Sequence, residues 1–223
     1  MIPAARDLVF TTRVSRRAAL IELAVFLGLV LSYIWIWARS FDNSWVAVAV
    51  LGLGFIIATQ IAHRERLQEL GLHPRLIIPA LRDAARIVVP LALVLLVAGW
   101  FLGNWREELF SAERFVDVVG WGFTQQYCLQ SFIHRRLGPL IATPGKRELA
   151  VGIIFGLLHL PNPILVPATF LAGWVFAILF RRYPSLPALA LSHAVGSTAV
   201  AFCFDPATLH KMRVGPRYFH VRS

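Results

Sequence analysis

The sequence predicts an all-α fold, a polytopic bundle of transmembrane helices. Of the 223 residues, 57% are hydrophobic and only 15% are charged, whereas soluble domains carry roughly a quarter charged residues. Long apolar runs recur along the chain, and each is near the ~20 residues that cross the hydrocarbon core of a bilayer. Because backbone polar groups in lipid must pair internally, these runs are predicted to be helices.

Seven apolar windows define the predicted spans. Pro161 and Pro163 lie between the fifth and sixth windows and prevent one continuous helix there. The chain divides into N-terminal spans with a cytoplasmic interfacial loop over 1–84, a membrane core over 85–204 and a basic tail over 205–223. The predicted spans are 18–38, 44–62, 85–104, 115–134, 149–163, 165–181 and 186–204.

The net charge of +10 indicates membrane orientation and not nucleic-acid binding. Arginines cluster at the ends of apolar runs, which is the pattern of cytoplasmic loops under the positive-inside rule. The longest such loop, 63–82, is predicted to lie at the membrane interface, with its leucines towards the lipid and its charges towards water. A cytoplasmic amino terminus is therefore predicted. Seven spans then place the basic tail outside, so either the span count is off by one or the tail is an exception.

Three of the apolar windows carry polar side chains that could share one intramembrane pocket. His159 and His193 are lone histidines in long apolar stretches, and ionisable groups at bilayer depth are first interpreted as functional. Gln125, Gln126 and Gln130 fall within an arc of about 140° on one helix. A structural role stays open for all five, because glutamine and histidine commonly form interhelical contacts worth about 0.6 kcal/mol.

The order and spacing of these residues resemble the CPBP family of intramembrane proteases, which includes the type II CAAX prenyl endopeptidases. That family shows EExxxR on one helix, FxxxH on a following helix and HxxxN or a relative near the end. The resemblance covers roughly residues 63–204. The corresponding stretches read Gln125-Gln126-Tyr-Cys-Leu-Gln130, Phe155-Gly-Leu-Leu-His159 and His193-Ala-Val-Gly-Ser197.

The resemblance implies an intramembrane endopeptidase whose last four spans form a cone around a polar cavity. It implies a substrate that is a membrane-anchored or lipid-modified peptide segment, and a bacterial inner membrane as the location. By position in the motifs, the implied water-activating residues are Gln125 and His159, the implied oxyanion-binding residues are His193 and Ser197, and the supporting residues are Gln126, Gln130 and Phe155.

Departures from the family's pattern leave two functions open. Glutamine replaces both glutamates and the arginine of the first motif, and serine replaces the final asparagine. Glutamine cannot act as a general base, but its carbonyl can position a water, and His159 can serve as the base alone near pH 7. The chain is predicted to be either an endopeptidase or a catalytically impaired member that binds a membrane protein or peptide without cleaving it. Such a member would serve as an assembly, immunity or sorting factor.

Other polar residues have weaker interpretations. No cofactor is predicted, because two histidines fall short of the three protein ligands of a catalytic zinc, although zinc stays an alternative. His134 is predicted to anchor at the headgroups from the end of a span. Glu22 either reaches the inner interface or replaces a missing carboxylate of the site. Arg106-Glu107-Glu108 is predicted to be a solvated turn.

Overall fold

The computed structural model confirms an all-α bundle. It describes residues 13–38, 44–104 and 106–220, and these ranges contain no β-strand. Among them, seven long helices occupy the seven predicted apolar windows, and π-helical turns over Tyr33–Trp37 and Tyr127–His134 extend the first and the fourth. The bounds are α1 Arg16–Ser32, α2 Ser44–Ala62, α3 Ile77–Phe101, α4 Ala112–Gln126, α5 Pro144–Leu157, α6 Leu165–Arg182 and α7 Leu186–Cys203.

The chain is a multi-pass membrane protein. Four helical segments in the described ranges are long and apolar enough to cross a membrane, and Val46–Ala62 is a shorter apolar helix. Helices α4 and α5 do not belong to this group, since α4 is rich in polar residues and α5 has only 14 residues. The four segments are Arg16–Trp37, Pro74–Phe101, Leu165–Arg182 and Leu186–Cys203.

Successive helices alternate in direction, so the loops gather at two ends of the bundle. At the amino-terminal end, which holds Arg13, the loop after α2 meets the turn before α7, where Leu186 N donates to Gly71 O at 2.8 Å. At the opposite, carboxy-terminal end, the tail after α7 folds over the bundle, and Gly215 N donates to Leu160 O at 2.7 Å. The described tail therefore lies at the end opposite Arg13, as seven alternating helices require.

The loop after α2 is shorter than the predicted 63–82. A 3₁₀ turn over Pro74–Leu76 leads directly into α3, because the fixed φ of proline suits a helix start. Gly71 holds a φ of +85°, and a Cβ there would lie 2.6 Å from a ring carbon of Phe180. Only glycine tolerates both the positive φ and the short distance to Phe180. The loop can therefore pack tightly against α6.

Arg135 and Arg136, which the charge pattern places at the inner face, are buried in ion pairs at the amino-terminal end. The Arg136 side chain is 1% exposed and contacts the carboxylates of Glu22 and Glu65. Arg135 lies 3.5 Å from a carboxylate oxygen of Glu69. The suggestion that Glu22 replaces a missing site carboxylate is therefore wrong, because Glu22 compensates a buried guanidinium of α4's extension. The carboxylates of Glu65 and Glu69 in this loop point into the protein, whereas its arginines Arg64, Arg66 and Arg75 are exposed.

The turn after α3 is attached to the end of α7. The half-buried Arg106 guanidinium donates to the carbonyl oxygens of Ala201 and Phe204, and Asn104 Nδ2 donates to Cys203 O at 2.9 Å. The last carbonyls of a helix lack intrahelical partners, so these donors complete α7. The prediction of a solvated turn is wrong for Arg106.

Candidate functional site

Helices α4 and α7 join an amide to an imidazole inside the bundle. Gln126 is fully buried, and its Nε2 lies 3.2 Å from His193 Nδ1. The two helices approach closely because Gly122 has no side chain, and a Cβ there would lie 3.1 Å from His193 Cδ2. The structure thus places two of the predicted site residues in direct contact.

Gln126 continues into a chain of hydrogen bonds along α4 and its π-helical extension. Gln130 Nε2 donates to Gln126 Oε1 at 3.4 Å, and His134 Nδ1 lies 3.1 Å from Gln130 Oε1. A spacing of four residues brings these side chains to one helix face, and all three are 0% exposed. We refer to His193, Gln126, Gln130 and His134 as the hydrogen-bond chain.

The hydrogen-bond chain ends at a buried carboxylate. His134 Nε2 lies 3.7 Å from Glu148 Oε1 on α5, and Arg181 Nε on α6 donates to the same oxygen at 2.9 Å. The predicted anchoring of His134 at the headgroups is wrong, since its nitrogens face Gln130 and Glu148. The four-residue spacing from Gln126 through Gln130 extends to His134 and could have indicated it. Nothing in the sequence points from His134 to Glu148.

His159 follows α5 and has a defined tautomer. Its Nδ1 lies 2.7 Å from Phe155 O, and because a carbonyl only accepts, Nδ1 carries the proton and Nε2 of the neutral ring holds the lone pair. The Phe155 ring packs edge-on against His159 with centroids 4.8 Å apart. Its centroid is 6.5 Å from that of His193. Phe155 therefore contacts both imidazoles and brings α5 to the hydrogen-bond chain.

Gln125 and Ser197 are close in sequence to the hydrogen-bond chain but are not part of it. Gln125 precedes Gln126, and Ser197 lies one turn after His193 on α7. Both are half-buried, and in the described part of the chain neither side chain forms a hydrogen bond within the protein. Their polar groups are thus available to water or substrate.

The turn that carries His159 is held by Asn162, which the sequence reasoning missed. Asn162 is fully buried, and its Nδ2 donates to Leu209 O at 3.0 Å and to Arg213 O at 3.2 Å. Its Oδ1 accepts from Leu165 N at 3.0 Å and so caps α6. An asparagine just before an apolar run is a known start signal for a helix, but its bonds to the tail follow only from the fold.

The described residues form a cavity away from the site and no cluster of metal ligands. In the ranges that the structure describes, no three His, Cys, Asp or Glu side chains cluster as a metal site would require. A cavity of about 270 Å³ opens at the amino-terminal end, where α3 begins and α6 ends, and none of the predicted site residues lines it. Its lining residues are Ile78, Pro79, Arg82, Asp83, Arg86 and Tyr183.

Comparison with known families matches residues 88–199 to a family model described as "Type II CAAX prenyl endopeptidase Rce1-like". The matched segment is half of the chain, and it contains all seven predicted site residues as well as His134 and Glu148. No curated protein and no solved structure matches the chain.

Proposed function

The chain belongs to the type II CAAX prenyl endopeptidase Rce1-like family, and from this premise we propose an intramembrane endopeptidase that cleaves a membrane-anchored or lipid-modified peptide segment. The orientation of two imidazoles supports this function best. His159 donates through Nδ1 to a backbone carbonyl, and His193 faces the Gln126 amide with its own Nδ1. Both Nε2 atoms are then left for chemistry, one as an acceptor and the other as a donor.

His159 suits the role of general base. Its Nε2 accepts a proton from water as the water oxygen attacks the scissile carbonyl carbon, and Nδ1–H stays bonded to Phe155 O. The Gln125 carbonyl oxygen accepts a hydrogen bond from the same water and orients it. The imidazolium then returns the proton to the leaving amine. A paired acid or base is commonly worth ~10²–10⁴ in rate, so we expect a slower enzyme than one with glutamate at 125.

His193 suits the binding of the oxyanion. When Gln126 Nε2–H donates to Nδ1, the proton of the neutral ring lies on Nε2. Nε2–H and the Ser197 hydroxyl then donate to the oxygen that becomes negative in the tetrahedral intermediate. Donors held in place before the reaction are often the largest single contribution to acyl-transfer catalysis. The buried Gln126 amide holds the ring in this orientation.

We further propose that the amino-terminal end faces the cytoplasm of a bacterial inner membrane. Exposed arginines at that end, such as Arg16 and Arg17, agree with the positive-inside rule. The tail at the other end would then be a tolerated basic segment outside.

The proposed reaction is tested on the full chain reconstituted in lipid vesicles with a quenched fluorescent peptide that carries a farnesylated cysteine. We expect slow cleavage by the wild type and a loss of about 10²-fold or more in His159→Ala, since the base is removed. The matched control His73→Ala changes a histidine at the other end of the bundle and should cleave at the wild-type rate. Equal rates in His159→Ala and wild type would contradict the proposal.

The alternative function is binding without cleavage, and the neutral glutamines at 125, 126 and 130 favour it. Such a member would bind a peptide at the same residues without hydrolysing it. Photo-crosslinking of the same peptide to the wild type, with no cleavage product even after prolonged incubation, would support this alternative. Cleavage that depends on His159 would rule it out.

A further inference from the structure

We propose that His134 is a positioning residue whose protonation decides, through Gln130 and Gln126, which nitrogen of His193 carries its proton. The inference rests on the proposed function, in which Nε2–H of His193 binds the oxyanion. In this proposal His134, Gln126 and Gln130 do not touch substrate and act only by orienting His193.

The hydrogen-bond chain can run in one of two directions. An amide donates through nitrogen and accepts through oxygen, and a neutral imidazole has one donor and one acceptor. In the outward direction, His134 Nδ1–H donates to Gln130, Gln130 donates to Gln126, and Gln126 donates to His193 Nδ1. His193 then carries its proton on Nε2, where the oxyanion would form. The distances of 3.1, 3.4 and 3.2 Å join these atoms in this order.

In the inward direction, both amides are rotated by half a turn and every donor becomes an acceptor. His193 Nδ1–H then donates to Gln126, and His193 Nε2 holds a lone pair that cannot stabilise an oxyanion. At the other end, His134 Nδ1 accepts from Gln130. A mixed arrangement leaves a buried donor or acceptor unpaired, at a cost of about 1–3 kcal/mol. The three hydrogen bonds of the chain therefore reverse together.

Charges around His134 select the direction. Glu148 Oε1 lies 3.7 Å from Nε2, Arg181 donates to the same oxygen, and the positive charges of Arg147 and Arg181 also act on the ring. A neutral His134 keeps its single proton on Nε2 towards Glu148, and this imposes the inward direction. A charged His134 also has a proton on Nδ1, which can only donate to Gln130. This imposes the outward direction.

A glutamine side chain can donate or accept at each of its contacts, so it is compatible with both directions of the hydrogen-bond chain. A glutamate at 126 would only accept, and an arginine at 130 would only donate, so the family's charged pattern would hold the chain in a single direction. The two amides at 126 and 130 remove that constraint in a fully buried path. The charge on His134 thus sets the direction of the hydrogen-bond chain and, with it, the tautomer of His193.

The experiment measures the tautomer of His193 directly. Full-length protein labelled with ¹⁵N-histidine is placed in lipid nanodiscs, and ¹⁵N chemical shifts distinguish Nδ1–H from Nε2–H. His193→Gln and His134→Gln assign the two signals. We expect the Nε2–H fraction of His193 to rise as His134 becomes charged, with one shared midpoint. In Gln130→Met, His134 should still titrate, but the Nε2–H fraction of His193 should no longer change with it.

A matched control separates transmission from packing. Gln60 is also a buried glutamine, bonded to Tyr127 and Ser131 and outside the hydrogen-bond chain, so Gln60→Met should keep the shared midpoint. If Gln130→Met does not fold, Glu148→Gln is used, and the midpoints of His134 and His193 should shift together. Two results would overturn the inference. In the wild type, the His193 tautomer would not change as His134 titrates; or, in Gln130→Met, it would still change together with His134. Since the resting protein is observed, this result is independent of whether any peptide is cleaved.

Discussion

At the scale of the residue, position 126 decides what kind of site this chain contains. The Gln126 amide is fully buried between α4 and α7, with an imidazole nitrogen of His193 at 3.2 Å on one side and the Gln130 amide at 3.4 Å on the other. A single ionised side chain in such a place costs several kcal/mol unless a partner compensates it. The three glutamines therefore form a consistent set, because each neutral side chain removes the need for an opposite charge.

A double-mutant cycle tests this coupling. Gln126→Glu and Gln130→Arg alone should each lower the free energy of unfolding by about 3 kcal/mol, since each leaves a buried charge without its partner. The double variant should lose less than the sum, with a coupling of about 1–3 kcal/mol. Unfolding is followed by denaturant titration in detergent micelles. Losses that simply add would show that the two positions do not interact.

At the scale of the element, the turn between α5 and α6 is built by its contacts with the tail. Asn162 bonds two tail carbonyls and caps α6, and Gly215 N donates to Leu160 O. His159 sits at the start of this turn, so the tail fixes the residue proposed as the base. Leu209, Arg213 and Gly215 of the tail thus support the site although they lie outside the matched family segment.

Removal of the Asn162 side chain should release both the turn and the tail. We expect Asn162→Ala to lower the free energy of unfolding by about 1–3 kcal/mol, because it deletes a helix cap and two hydrogen bonds to the tail. Limited proteolysis should then cut the tail faster than in the wild type. Asn104→Ala is the matched control, since it removes one bond to a single carbonyl. A tail equally protected in both variants would contradict this role.

At the scale of the whole molecule, a network of ion pairs closes the amino-terminal end. Arg136 joins Glu22 of α1 to Glu65 of the loop after α2, and its guanidinium lies 5.0 Å from the Phe132 ring centroid. These ion pairs add to apolar contacts between the first helices and the extension of α4, such as the Phe26 and Phe132 rings, whose centroids lie 5.2 Å apart. Such buried pairs give little net stability but are costly to break.

Neutralising one member of this network should destabilise the whole bundle. We expect Arg136→Gln to lower the free energy of unfolding by roughly 3 kcal/mol, because Glu22 and Glu65 each lose a buried guanidinium and keep only His63 and Arg135 as partners. Arg16→Gln is the matched control at an exposed position and should change stability by less than about 0.5 kcal/mol. Denaturant unfolding of both variants checks this. A similar small change in both would mean that the network is solvated in the membrane-bound protein.

Predictions from the sequence succeeded where the signal is local. Apolar windows located all seven helices, because a run near the length of a bilayer span has few other folds available. The family resemblance, based on short motifs at 125–130, 155–159 and 193–197, is confirmed by the match over 88–199. The start of α3 was predicted eight residues late, at 85 instead of 77, since charged residues near Arg82 interrupt the apolar run without ending the helix.

The sequence by itself determined the class of protein, the number of helices and the family, because composition and spacing along one helix carry these properties. Only the tertiary structure decided which polar groups meet. It paired His134 with Glu148, Glu22 with Arg136, and Asn162 with the tail. Each pair joins different elements, and a buried charge or amide takes its partner from whichever neighbouring helix packing brings within reach.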